Sequence, residues 1–144
     1  MKTMIILLLL FTNQCLAVSL KDTSYGSAIV SEVTSIYDAD TFRVNIKNWP
    51  DIVGRRMSVR VNGIDAPEIR GKCKEEKRLA SQAKQFTVKL LRSANVIELR
   101  NIKRGKYFRL LADVYIDNKS LSEVLIMNNH ARIYDGGTKS SWCN

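Results

Sequence analysis

The sequence predicts a mainly β α+β domain: five strands, a long helix inserted after the third strand, and a short helix near the C-terminal end. Three observations predict it. Residues 28–64 carry alternating and β-branched runs separated by turn residues, the mark of an antiparallel meander. Residues 74–93 switch to a helical period, and residues 95–116 return to strand character before a capped helix.

Taken in order, Val18 to Ser27 is polar and without periodicity, a loose lead-in. Ala28 to Tyr37 is rich in β-branched residues and reads as the first strand. Asp38-Ala39-Asp40 forms a turn, and Thr41 to Ile46 alternates as the second strand, ended by the turn residues Lys47-Asn48-Trp49-Pro50-Asp51. Arg55 to Ile64 is the third strand. On strand alternation Arg60, Asn62 and Ile64 share one face, with Val61 and Gly63 on the other. Pro67 then fixes its own backbone and disfavours helix at Ala66, so Asp65 and Glu68 stand in a rigid loop at a strand end.

In the helix Lys74–Ser93, Leu79, Ala83, Phe86 and Leu90 form one apolar stripe for packing on the sheet. Asn95 to Ile102 and Tyr107 to Ile116 are the fourth and fifth strands, joined by the basic link Lys103-Arg104-Gly105-Lys106. Asp117-Asn118-Lys119 is a turn. Leu121 to Asn129 is the second helix, with Ser120 as N-cap and Glu123 completing a capping box. Ala131 to Gly137 is loop. This element order is compatible with a small five-stranded barrel of the oligonucleotide-binding type, although a flat α+β sheet uses the same elements.

The length suits one domain, assigned to residues 28–144. Met1-Lys2, the apolar run Ile5 to Phe11 and the end at Leu16-Ala17 follow a signal-peptide pattern, with cleavage expected after Ala17. The apolar run is shorter than the roughly 18 residues of a membrane span, so export without stable membrane association is expected, to a periplasmic or secreted location. Removing Lys2 with the signal takes the net charge from +9 to +8. Such an excess either suits a polyanionic partner or only keeps an exported protein soluble. Of three cysteines, Cys73 and Cys143 remain after cleavage, and an even pair in an exported protein suggests a disulfide. It would close a loop of roughly 70 residues, for which chain entropy suggests about 4 kcal/mol.

Two acidic clusters lie at strand ends, Asp38-Ala39-Asp40-Thr41 and Asp65-Ala66-Pro67-Glu68. Carboxylates brought together from separate loops repel unless a cation or proton intervenes, so a hard metal is the natural chemical reading; ordinary turn acids are the commoner explanation of Asp-x-Asp alone. Paired thiols and a lone His130 do not build a zinc site. Oxygen ligands from Asp40 and Asp65 suit Ca²⁺ or Mg²⁺, with Ca²⁺ geometry the easier to satisfy. Arg60 and Arg109 offer guanidinium forks that match phosphate and stabilise extra negative charge; for either alone a surface salt bridge is the commoner explanation.

Together, Asp38-Ala39-Asp40-Thr41, Arg60-x4-Asp65-Ala66-Pro67-Glu68 and Lys106-Tyr107-Phe108-Arg109-Leu110-Leu111-Ala112 resemble the staphylococcal nuclease family over roughly residues 28–135. The resemblance implies a five-stranded oligonucleotide-binding barrel and Ca²⁺-dependent hydrolysis of DNA and RNA with little sequence specificity, leaving 3′-phosphates. It implies Asp40, Asp65 and the carbonyl of Ala66 as calcium ligands, Glu68 as general base, and Arg60 and Arg109 as catalytic arginines. Lys106 and Tyr107 match phosphate-contacting positions. Basic side chains such as Arg104, Lys106 and Arg132 are expected to track the backbone, and Tyr107 or Tyr134 to stack on a base, with core packing the alternative for Tyr134.

The chain departs from the family pattern at Ala39, where glycine is usual, at Ala66, where the archetype has threonine, and at Phe108, where glycine usually precedes the catalytic arginine. Only Phe108 bears on function, since a bulky side chain there re-aims Arg109 or narrows the nucleotide pocket if the position needs an unusual backbone angle. The family's long C-terminal helix has no counterpart, and the Cys73–Cys143 link is expected to replace its anchoring. The alternative function is a non-catalytic nucleic-acid-binding barrel, disabled at Arg109. A basic protein acting on anionic membranes is disfavoured, because residues 74–93 have the narrow stripe of a core-packing helix. A monomer is expected.

Overall fold

The computed structural model of the chain describes residues 24–143, so the expected signal segment 1–17 lies outside the described residues, as does most of the lead-in. In the lead-in's described end, Tyr25 N–H donates to Ile102 O at 2.6 Å and Ile102 N–H to Gly26 O at 3.0 Å, tying it to a later strand.

The strands are β1 (Ala28–Asp38), β2 (Thr41–Ile46), β3 (Met57–Val61), β5 (Ile97–Arg104) and β6 (Leu110–Ile116), with β4 (Ile64–Asp65), β7 (Lys119–Ser120) and β8 (Arg132–Ile133) as two-residue additions. The helices are α1 (Asp51–Gly54), α2 (Lys74–Ser93) and α3 (Leu121–Met127). The long strands run in the order β3-β2-β1-β5-β6, and β3 pairs in parallel with β6, which closes the sheet into a five-stranded barrel. Closure removes the free sheet edges. Strand β1 serves two neighbours because it bends: register irregularities interrupt its pairing with β2, and its first residues pair with β5.

Alternation fills the barrel. Phe42 and Val44, Val59 and Val61, Leu99, and Leu110, Ala112 and Val114 point inward and are almost fully buried, and Leu121 and Leu125 of α3 close one end. Each large side chain removed from water contributes about 1.5–3 kcal/mol.

Three expectations need correction. Strand three ends at Val61, because Asn62-Gly63 turns with Gly63 at φ +76; alternation is reset there, and Ile64 goes into the core instead of sharing the outer face with Arg60. The apolar stripe of α2 is rotated by about one residue: Ala80, Ala83, Thr87 and Leu91 are buried, while Leu79, Phe86 and Leu90 flank them half-buried. Small residues at the centre let the helix approach closely, and the buried Thr87 hydroxyl donates to Ala39 O at 3.1 Å, binding α2 to the first acidic turn. The fifth strand starts at Leu110, because Lys106–Phe108 form a 3-10 turn.

Other local signals hold. Helix α2 has the expected bounds, begins on Cys73 and carries Glu75 and Glu76 in its first turn and Arg92 in its last, complementing the helix dipole. Ser120 caps α3 by accepting from Glu123 N–H. Cys73 is bonded to Cys143. Among the described residues, no helix is long and apolar enough to cross a membrane.

Candidate functional site

Closure of the barrel brings the two acidic turns together. Asp40 follows the β1–β2 turn and Asp65 ends β4, while Arg60 on β3 lies opposite Thr41 in register. Arg60 Nη1 donates to Asp40 Oδ1 at 2.8 Å, and its Nη2 lies 3.6 Å from Asp65 Oδ1 and donates to Ile64 O at 3.3 Å. One guanidinium thus holds both aspartates. Thr41 Oγ1 also donates to Asp40 Oδ1 at 2.8 Å, and Ala66 N–H donates to Asp40 Oδ2 at 3.0 Å. Asp40 and Asp65 are 2% and 5% exposed, which is affordable for carboxylates only with such partners.

Burial pushes the Asp40 carboxyl above the ordinary aspartate value even though Arg60, Thr41 and the Ala66 amide favour its charged form. Asp38 is also raised, first by burial and then, against the Ile69 amide that steadies it, by Asp40 and Glu68. In both, loss of hydration is the largest cause, ahead of any neighbouring charge.

Glu68 stands on the rim of this cluster, 55% exposed at its side chain. Its loop is built on Glu76, a buried α2 carboxylate that accepts from Lys72 N–H at 2.8 Å and Glu68 N–H at 3.4 Å. A Cβ at Gly71 would run into the Glu76 carboxylate, so a larger residue there would push that side chain out of place. Asp38 holds the same loop through Ile69 N–H at 3.2 Å. Sequence reasoning missed Glu76; an acid three residues into a helix that follows a loop was its only local signal.

The C-terminal tail supplies two further residues that sequence reasoning missed. Lys139 Nζ lies 2.7 Å from Asp65 Oδ1 and 2.9 Å from Glu68 Oε1. Trp142 Nε1 donates to Asp65 Oδ2 at 3.0 Å, and Arg132 covers the Trp142 ring at 3.8 Å. Burial pulls the Lys139 ammonium down, but the pairs with Asp65 and Glu68 outweigh it and leave its pKa raised. Asp65 Oδ1 is buried and is answered by charge, with the Lys139 ammonium at 2.7 Å and the Arg60 guanidinium at 3.6 Å. The signal was the disulfide: a chain bonded from Cys143 to Cys73 must run past Glu68. Arg132, expected to track a nucleic-acid backbone, is exposed and also reaches the tail, its Nη1 donating to Ser141 O at 2.9 Å.

Arg109 stands apart from this network. It lines an open pocket with Thr41, Arg43, Ser58 and Tyr37, and Thr41 is also the register partner of Arg60. Among the described residues no carboxylate pairs with it; its guanidinium lies 5.7 Å from the Tyr107 ring centre. Tyr107 and Phe108 have φ of 56° and 59°, a left-handed conformation that bulky residues rarely hold, and their side chains are exposed. Position 108 therefore has the unusual backbone angle that glycine would suit. The Phe108 ring lies under Arg104 at 4.3 Å and not on Arg109. Lys106 is exposed beside them, and Tyr134 lines a cleft with Asp65, its hydroxyl donating to Gly137 O at 2.8 Å.

A closed barrel of this topology, carrying these acids and arginines, agrees with comparison to known proteins. Residues 58–141, more than half of the chain, match the family described as Staphylococcal nuclease homologue. The chain belongs to that family. A relative named probable endonuclease lcl3, from Pyrenophora tritici-repentis, is 25% identical over 62% of this chain. The chain spans 39% of that relative's length. The staphylococcal nuclease match begins at Ser58, so it includes Arg60, Asp65, Glu68 and Arg109, while Asp40 joins them through the fold.

Proposed function

We propose that this chain is an exported, metal-dependent nuclease that hydrolyses phosphodiester bonds in DNA and RNA with little sequence specificity. The observation that carries the reading is the Asp40–Arg60–Asp65 cluster with Glu68 on its rim. The donor set is all oxygen, and two buried carboxylates from separate loops, Asp40 and Asp65, converge on Arg60, which suits a hard divalent cation such as Ca²⁺. Asp40, Asp65 and the Ala66 carbonyl would hold it. When bound, it would supply Lewis-acid charge neutralisation for a phosphate oxygen.

The chain's own residues supply the rest. Arg60 and Arg109 clamp the non-bridging phosphate oxygens as charge builds on them. Glu68 accepts the proton of the attacking water, whose oxygen bonds to phosphorus as the bond to the 5′ oxygen breaks, leaving a 3′-phosphate and a 5′-hydroxyl. Lys106 contacts phosphate, and Tyr107 and Tyr134 stack on bases. We assign residues 1–17 to an export signal, 18–27 to a lead-in and 28–144 to one monomeric domain; the disulfide supports an oxidising, periplasmic or extracellular setting.

The test is incubation of the mature protein with single-stranded DNA, double-stranded DNA and RNA, in Ca²⁺ or excess chelator, alongside Glu68→Ala and Arg109→Ala. Ca²⁺-dependent cleavage ending in 3′-phosphates, lost in both variants, is expected. Metal-independent binding without cleavage would make the chain a nucleic-acid-binding barrel instead.

A further inference from the structure

Lys139 has no part in the reaction just described, yet it occupies the centre of the acidic site. Its ammonium bridges Asp65 and Glu68 at 2.7 and 2.9 Å. A free lysine on a mobile tail would spend much of that attraction on ordering its side chain and backbone. This tail is held. Cys143 is covalently bonded to Cys73, Trp142 is buried with its indole N–H on Asp65, and Arg132 grips Ser141 O. The tether converts the contact into an intramolecular one at high effective concentration.

The contact also has the character of a placeholder. An ammonium is a compact point charge with no preferred coordination geometry. It relieves repulsion between Asp65 and Glu68 by lying between Asp65 Oδ1 and Glu68 Oε1. A divalent cation placed against the same oxygen competes with the ammonium, which lies 2.7 Å from it and would repel the incoming charge.

We propose that Lys139 is a tethered counter-cation of the Asp65–Glu68 pair, which a divalent ion displaces on binding and which thereby sets the cation affinity of the site. The inference rests on the metal-centre reading above. Displacement frees Glu68 as well, so cation entry and release of the proton acceptor are one event. The Cys73–Cys143 bond sets how strongly the ammonium competes, and a reducing medium that opens it weakens the competition.

The experiment uses the full mature chain and reads binding directly. Ca²⁺ is titrated by calorimetry, and Tb³⁺ by luminescence excited through tryptophan, Trp142 lying against Asp65. Lys139→Gln should bind both ions about tenfold more tightly, the scale of one partly buried ion-pair coupling. Lys139→Arg keeps the charge and should stay near wild type. The wild-type protein with its disulfide reduced should shift in the same direction as Lys139→Gln. Equal or weaker affinity in Lys139→Gln, beside normal binding by wild type, overturns the counter-cation. Failure of wild type and Lys139→Gln alike to bind either ion overturns the metal-centre reading and this inference with it.

Discussion

The loop after Ile64 and the loop before Leu110 treat charge in opposite ways. Around Asp65 charge is answered inside the molecule: Arg60 and Lys139 face Asp40, Asp65 and Glu68, and Trp142 closes the set. Around Arg109, four of the seven residues from 103 to 109 are basic and none is acidic. Tyr107, 88% exposed, and Phe108, 60% exposed, keep left-handed backbones without burial to compensate. Buried carboxylates must be neutralised before the chain can fold, whereas exposed guanidinium groups stay hydrated and remain available. The first loop is therefore a prepared interior, and the second is an open surface whose charge a polyanion would complete.

The largest effects should separate the two by function. Glu68→Gln is expected to lower single-turnover cleavage by about 10²–10⁴ with nucleic-acid affinity intact, as for loss of a proton acceptor. Arg109→Ala should lower cleavage by about 10²–10³ and weaken binding as well. Fluorescence anisotropy beside single-turnover rates decides; an Arg109→Ala protein with full affinity would erase the contrast.

A smaller effect tests how the acidic half is held. Thr87→Val leaves the buried Ala39 carbonyl unanswered and should cost about 1–3 kcal/mol in urea unfolding, although Thr87 touches none of the charged groups. Phe108→Gly tests the open half. It relieves a left-handed aromatic but loses the ring contact with Arg104, so stability should rise by no more than about 1 kcal/mol. Cleavage should hardly change, since the ring faces Arg104. Acceleration beyond about tenfold would mean that Phe108 holds Arg109 off the phosphate.

The smallest effect lies away from both halves. Burial lowers the His130 pKa below 6.5, and its ring lies 4.6 Å from Phe86. In the unfolded chain the imidazole binds its proton more readily, so the stability it contributes is present above pH 6.5 and is lost as pH falls through the lowered folded value. His130→Gln should flatten that decline in thermal unfolding followed from pH 7.5 to 5, about the window around an ordinary histidine.

Much of the site was legible because its signals are short-range. Turn acids at Asp40 and Asp65, Arg60 five positions before Asp65, and the helix that starts on Cys73 all follow from spacing. The stripe on α2 was read one residue off because Leu79 and Phe86 look more apolar than Ala80 and Thr87; close approach to the barrel chose the small side chains instead. The strand expected to begin at Tyr107 failed because its backbone turns left-handed, which periodicity does not report.

By itself, the sequence determined the strand and helix order and the Cys73–Cys143 pairing, which depend on residue type and local period. Only the tertiary structure decided that β3 closes on β6, that Arg60 alone holds both aspartates, and that Lys139 lies between Asp65 and Glu68. Apart from Arg60 with Asp65, those contacts join residues at least 20 positions apart. Chain closure and burial bring them together, and no local preference specifies them.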